Sequence, residues 1–200
     1  MKTNHKTTSI RREEILASAR NIIAHKGFEH LTVRQIASDV KITEGALYRH
    51  FNSKQEIINL LIDDIDTTLM QAIEPAGLKE MTPLNQLKHI LTAHLEYIEK
   101  RKATSFMLMN EILNLKDKRS QRKMLALVHK YLKRINAILL EGVRTKQFRG
   151  DINLTSAAIL FFGMIQSVST LWALSGFKYS ASLRVRLEDS FEVYTKGVLR

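Results

Sequence analysis

Residues 32–51 read TVRQIASDVKITEGALYRHF. Thr32-Val33-Arg34-Gln35 has the form of a capping box, in which a threonine oxygen takes the amide three residues on and a glutamine side chain reaches back. A helix therefore begins here, with Val33, Ile36, Ala37 and Val40 at its apolar positions. About four residues of turn follow. Thr43 then caps a short helix, Glu44 to His50. Ser53-Lys54-Gln55-Glu56 is a second capping box and opens the next helix. Two short helices joined by a turn of three to four residues make a helix-turn-helix. Ile36, Val40, Ile42 and Leu47 supply the small core between them, and Ala37 is small where the second helix must approach the first. Gly45 and Ala46 keep the front of the third helix slim, so that its backbone can come close to a partner surface.

Upstream, Ile15, Leu16, Ala19, Ile22 and Ile23 recur at helical spacing in a helix from about Ser9 to Lys26, and Gly27 stops it. Downstream, the helix opened by Ser53 runs toward Pro75 and Gly77. Thr82 caps and Pro83 takes the first helical position of one ending near Arg101. Further helices are predicted over 103–115, 117–147, 154–175 and 180–199, separated by Gly150 and Gly176. No stretch alternates as a strand. The expected fold is all-α, with about nine helices: a three-helix domain over 1–54 carrying the helix-turn-helix, and a larger helical domain over 55–200.

The composition bounds the function. The chain has 200 residues, 44% of them hydrophobic, which suits a globular core. Thirty-one Lys and Arg against 20 Asp and Glu give a net charge of +11, which favours a polyanionic partner. There is no cysteine, so disulfides, thiolate metal sites and a cysteine nucleophile are excluded, in keeping with a reducing cytoplasm. The polar start, Met1 to Arg12, lacks the apolar core of a secretory signal. Residues 157–174 are apolar but interrupted by Gln166, Ser and Thr, and read as a buried helix rather than a membrane span.

The order and spacing of Ala37, Ile42, Thr43, Gly45, Leu47, Tyr48, Phe51 and Lys54 resemble the tetracycline-repressor (TetR) family, GALYRHFNSKQEI being the most specific part. Phe28 after Gly27 also fits, and the match covers roughly the first quarter of the chain. One position departs: where the family often has glycine in the turn, this chain has Lys41. A left-handed backbone there costs a non-glycine residue roughly 1 kcal/mol.

The resemblance implies a DNA-binding transcriptional regulator: a homodimer on double-stranded DNA at a palindromic operator, released by an unidentified small-molecule effector. The third helix would enter the major groove, with Thr43, Glu44, Ala46 and Arg49 at base edges. Glu44 would accept from a cytosine amino group and Ala46 would touch a thymine methyl. Tyr48, by resemblance, would bond a phosphate. Thr32 and Arg34 would reach phosphate from the start of the second helix, and Lys54 from the first turn of the fourth. Gly45 admits close approach, and His50 either meets a base or packs on the helix junction. The basic residues before Glu13, namely Lys2, Lys6, Arg11 and Arg12, would lie along the backbone or in the minor groove.

In the body, Leu183, Leu187, Phe191, Tyr194 and Val198 form an apolar seam on the last helix. With Ile159, Leu160, Phe162, Ile165, Val168 and Leu171 of the preceding helix they are the expected dimer interface, a four-helix bundle between two copies. Phe106, Met107, Met109 and Ile112 on one helix, Leu127 and Tyr131 on the next, and Phe161, Met164 and Trp172 are the expected lining of a ligand cavity, methionine being adaptable there. The charge run from Lys116 to Arg134 would either welcome an anionic effector or form a solvated helix face. No cofactor, metal or membrane partner is expected. Nor is an enzyme: HExxH, a P-loop, a Gly-rich dinucleotide turn and a Glu-x-x-His pair are all missing. His89 and His94, five apart, fall on different helix faces. Two competing classes are a nonspecific DNA-coating protein and a helical ligand-binding bundle without DNA function.

Overall fold

The computed structural model describes residues 8–51, 53–178 and 180–200. Among these it contains nine α-helices and no strand: α1 Thr8–Lys26, α2 Val33–Asp39, α3 Glu44–Tyr48, α4 Lys54–Ile73, α5 Pro83–Lys100, α6 Thr104–Asn114, α7 Lys118–Arg144, α8 Leu154–Leu174 and α9 Ser180–Val198. Short 3-10 turns cover Phe28–His30 and Leu78–Glu80.

The helix boundaries follow local capping chemistry. Thr32, Thr43, Ser53 and Thr82 accept the amides of Gln35, Ala46, Glu56 and Asn85. Asp117 takes the amides of Arg119 and Ser120, and Asn153 that of Ser156. Each cap satisfies an amide that has no carbonyl partner inside its helix. The expected reciprocal half of the first capping box is not made. Gln35 Nε2 donates instead to Asp39 Oδ1 at 3.0 Å, one helical turn onward. The third helix ends at Tyr48, two residues before the predicted end, because the His50 amide bonds Leu47 and Phe51 turns into the core.

The helices α1 to α3 pack on the beginning of α4 around Ile15, Ile22, Ile23, Leu31, Ile36 and Leu47, all essentially inaccessible to water. The body is layered: α4 lies on α5 and α7, and α8 is held between α7 and α9. The helix α8 is long and apolar enough to cross a membrane by length and composition. Here it is a wall of the body, with Ala158, Phe161, Ile165 and Val168 buried against its neighbours.

The connection between α7 and α8 is tightly fitted. Lys146 adopts a left-handed φ of 59°, and Phe148 folds back over Gly142 at 1% exposure. A β-carbon added at Gly142 would collide with the Phe148 ring. Phe148 also bridges to Leu199, and the Arg149 amide donates to the Val198 carbonyl at 3.0 Å, so this joint anchors the end of α9. Gly142→Ala should therefore destabilise the fold by about 1–3 kcal/mol through overpacking. Urea unfolding checks this, and an unchanged midpoint would remove the assigned role.

Candidate nucleic-acid interface and central cavity

The reading head has an inward and an outward face. Ile36, Ala37, Leu47 and Phe51 are buried, with Val33, Val40 and Ile42 packed partly against them. The turn is closed by the Lys41 amide on the Ser38 carbonyl at 3.1 Å and the Ile42 amide on the Ala37 carbonyl at 2.9 Å. Lys41 has φ 56°, so the turn needs the left-handed conformation even without glycine. Asp39 ties α2 back to α1 by accepting from Ser18 Oγ at 3.2 Å.

Thr32, Arg34, Thr43, Glu44, Gly45, Tyr48, Arg49 and His50 are all exposed, and Ala46 is half-buried. Tyr48 projects to 49% exposure although it follows a fully buried leucine. An added β-carbon at Gly45 would meet nothing within 4 Å, so packing inside the chain gives no reason for glycine there. Lys54 is half-buried, its ammonium 4.7 Å from the centre of the Phe28 ring, a cation–π contact. Burial lowers its pKa, and Glu111 opposes that shift. Of the basic residues before Glu13, Arg11 pairs with Glu14 at 2.8 Å and Arg12 lies over the Phe51 ring. Lys2 and Lys6 lie outside the described residues.

The head joins the body through partly buried polar contacts. Asp64 of α4, 9% exposed, accepts from Arg20 of α1 at 2.8 Å and from Arg101 after α5 at 2.6 Å. Gln55 Nε2 donates to Ser120 Oγ at 2.7 Å, and Ser120 Oγ donates to Asp117 while lying 3.1 Å from Asn59 Oδ1.

Between α4, α5, α6, α7 and α8 lies a cavity of about 40 Å³. Phe106, Met109 and Tyr131 line it as the sequence predicts. Leu127 lines it too, whereas Met107, Ile112, Phe161, Met164 and Trp172 do not. Phe161 is fully buried, edge-on to Phe191 and Tyr194. Trp172 packs on the Phe177 ring at 5.1 Å, and Met164 faces an open groove between α8 and α9. Helix periodicity explains the difference: Phe162, Gln166 and Ser169, spaced by four and three, form the face of α8 that meets the cavity. Phe161, Ile165, Val168 and Trp172 form the adjoining buried stripe.

The cavity also contains His94, a residue for which the sequence predicts no site role. Its Nδ1 lies 3.0 Å from the Tyr131 hydroxyl, and both side chains are buried. The available signal was position: His94 continues the Leu87, Ile90, Leu91 and Ile98 stripe of α5. Burial pulls its pKa down to about 4 and raises that of Tyr131, so the pair is neutral at pH 7.

The expected dimer seam needs correction. Ile165, Leu183, Leu187 and Phe191 are buried within the single chain. Tyr194 is half-buried and donates to the Ala157 carbonyl at 3.1 Å, which joins α9 to α8. Phe162 lines the cavity. Of the expected set, Ile159, Leu160 and Leu171 of α8 do face outward, and Leu174 of α8 with Val185 and Val193 of α9 join them, each at least half exposed. The periodicity located an apolar stripe correctly, but it could not say whose surface the stripe meets.

A projecting short helix with a buried back, carried on an all-helical body with an internal cavity, defines a helix-turn-helix DNA-binding regulator. Known proteins agree. Residues 15–61 match the family model for bacterial regulatory proteins of the tetR family, and residues 80–176 match that for the tetracyclin repressor-like C-terminal domain. The nucleoid occlusion factor SlmA of Cronobacter sakazakii is 30% identical over 175 residues, 85% of this chain and 86% of its own. SlmA of Vibrio cholerae serotype O1 is 29% identical over 172 residues, 84% of this chain and 87% of its own. Among solved structures, the fatty acid degradation regulator FadR from Bacillus halodurans superposes with a TM-score of 0.78 at 20% identity, over 92% of this chain and 96% of that one. FadR from Bacillus subtilis in complex with stearoyl-CoA gives 0.75 at 22%, over 89% and 96%. The chain belongs to the tetracycline-repressor family, and it is a DNA-binding transcriptional regulator.

The buried histidine gives the fold a pH signature. Between about pH 6.5 and 4 the unfolded chain takes up a proton at His94 that the folded chain refuses, so this term lowers stability as the pH falls. His94→Gln should reduce the loss of stability between pH 6.5 and 4.5 by about 2 kcal/mol. Urea titrations of both proteins at the two pH values measure it, and equal losses would contradict the assignment.

Proposed function

We propose that the chain is a homodimeric repressor that reads a palindromic operator with α3 and releases it when a small molecule enters the body. Residues 1–54 act as the reading head, and residues 55–200 dimerise and sense. The observation that carries this reading is the two-sided third helix. Leu47 and, just beyond it, Phe51 anchor it from behind, while Thr43, Glu44, Tyr48 and Arg49 are exposed in front. Its capped start and bare Gly45 suit insertion into a major groove. Tyr48, Arg34 and Thr32 serve phosphate, as does Lys54 once its ammonium leaves Phe28. The protein works by binding rather than by catalysis, in the cytoplasm where bacterial DNA lies.

A single head reads few base pairs, so two must act together. The outward apolar faces of α8 and α9 supply the surface for a second copy. Between them runs a groove of about 560 Å³, lined by Leu160, Met164, Val193 and Gly197 among others. Exposed apolar side chains gathered on one face mark an interaction site.

The cavity supports the sensing role. At about 40 Å³ it holds only a few waters, far below the roughly 300–1,000 Å³ of a drug-sized site. A ligand must therefore push the walls apart, and Met109, Met124 and Phe106 are the side chains that can repack. Work done on the walls is what couples occupancy to the position of the head. A second reading, nucleoid occlusion, is favoured by one observation: the SlmA relatives align across both head and body. Mapping of occupied sites on the chromosome separates the two, a few promoter sites against many dispersed ones.

Selection from random DNA should recover a palindromic consensus; its absence would refute the dimeric operator reading. Tyr48→Phe and Lys54→Ala should each weaken binding by a similar factor across sequences. Lys54→Ala should also reduce the salt slope by about 1. Fluorescence anisotropy at several salt concentrations measures both, and wild-type affinity in both variants would overturn the docking. Leu160→Glu with Val193→Glu should give folded monomers on a sizing column, whereas Phe191→Glu should disrupt the fold itself. A dimer that survives the double change would place the interface elsewhere.

A further inference from the structure

The helix α7 has two faces of opposite chemistry. Lys118, Arg119, Arg122, Lys130 and Lys133 stand exposed on its outside. Met124, Leu127, Val128 and Tyr131 meet the cavity. The dense positive charge of this segment therefore faces solvent, and an anion inside the body would not meet it. None of the other cavity-lining residues, which come from α4, α5, α6 and α8, is Asp, Glu, Lys or Arg. The polar groups there are neutral: the His94–Tyr131 pair, Ser105, Gln166 and Ser169. Ser169 Oγ is already satisfied by the Ile165 carbonyl at 2.7 Å. Among the described residues, the side chains of Ser105 and Gln166 have no protein partner, so a hydroxyl and an amide remain available to a ligand.

We infer that the cavity takes an uncharged, largely apolar small molecule, oriented by hydrogen bonds to Gln166, Ser105 or the His94–Tyr131 pair, and that it rejects anions of the same skeleton. The inference rests on reading the cavity as the effector site and adds the chemical class of the effector. A carboxylate, sulfonate or phosphate in this cavity would lose its water and find no counter-charge. The histidine does not supply one, because its burial keeps the ring neutral at pH 7. The apolar wall of Ile65, Leu69, Ile98, Phe106 and Leu127 rewards apolar surface instead.

Two fluorescent probes of one skeleton test this on the full chain: N-phenyl-1-naphthylamine, which is neutral, and 8-anilino-1-naphthalenesulfonate, which carries a sulfonate. The neutral probe should bind with a Kd at least tenfold lower. Its binding should be lost in Met109→Trp and in Phe106→Trp, which fill the cavity; a thermal melt confirms that each variant is folded, and one folded variant suffices. Equal or tighter binding of the sulfonate, abolished by the same variants, overturns the charge class and leaves the cavity as the effector site. Binding of neither probe, or binding that survives cavity filling, overturns the effector-site reading together with the inference built on it.

Discussion

Asp64 holds the two halves of the molecule together. It sits midway along α4, the helix that starts at the reading head and ends inside the body. At 9% exposure its carboxylate depends on its partners, and it has two: Arg20 from the head and Arg101 from the end of α5. Each guanidinium offsets part of the cost of removing the carboxylate from water, and removal of either would leave a buried charge undercompensated. Lys102 and Ala103, the next residues, are both left-handed at φ 46° and 52°. They swing the chain into α6, which carries Phe106 and Met109 into the cavity. Head, joint and cavity wall are thus contiguous. On the other side of α4, Ser120 gathers Gln55, Asn59 and Asp117 into a second polar contact.

Helix faces divide the labour in the body. The helix α8 gives one stripe to the cavity, one to the buried core and one to solvent. Its apolar side chains occupy the outward stripe as well as the cavity and core stripes, which is why length and composition alone give it the look of a membrane span. The helix α7 shows the complementary case, basic outside and neutral or apolar inside. In both helices a residue's role turns on an angular offset of about 100° per residue, so neighbours in sequence serve different surfaces. Phe161 and Phe162 are adjacent, yet one packs on Phe191 and the other meets the cavity.

The turn of the reading head shows how local strain is tolerated. Lys41 holds the left-handed conformation that glycine would adopt without steric cost. The surrounding contacts fix it: Ile42 packs against the core, and the Ala37 carbonyl takes the Ile42 amide. A few such contacts outweigh a penalty of roughly 1 kcal/mol.

The helices, their caps and the reading head are legible in the residues alone. Those features are local: a capping threonine acts within three residues, and a helix-turn-helix core within twenty. The exposed set from Thr32 to His50 was legible for the same reason, since Leu47 and Phe51 mark the inward side and the remainder follows by periodicity. Which apolar stripe of α8 and α9 is core and which is left outward follows from packing between helices. The same packing brings His94 to Tyr131 across 37 positions and turns Phe162 to the cavity. Periodicity reports that a face is apolar, but the identity of what covers that face is set by packing between helices distant in the chain.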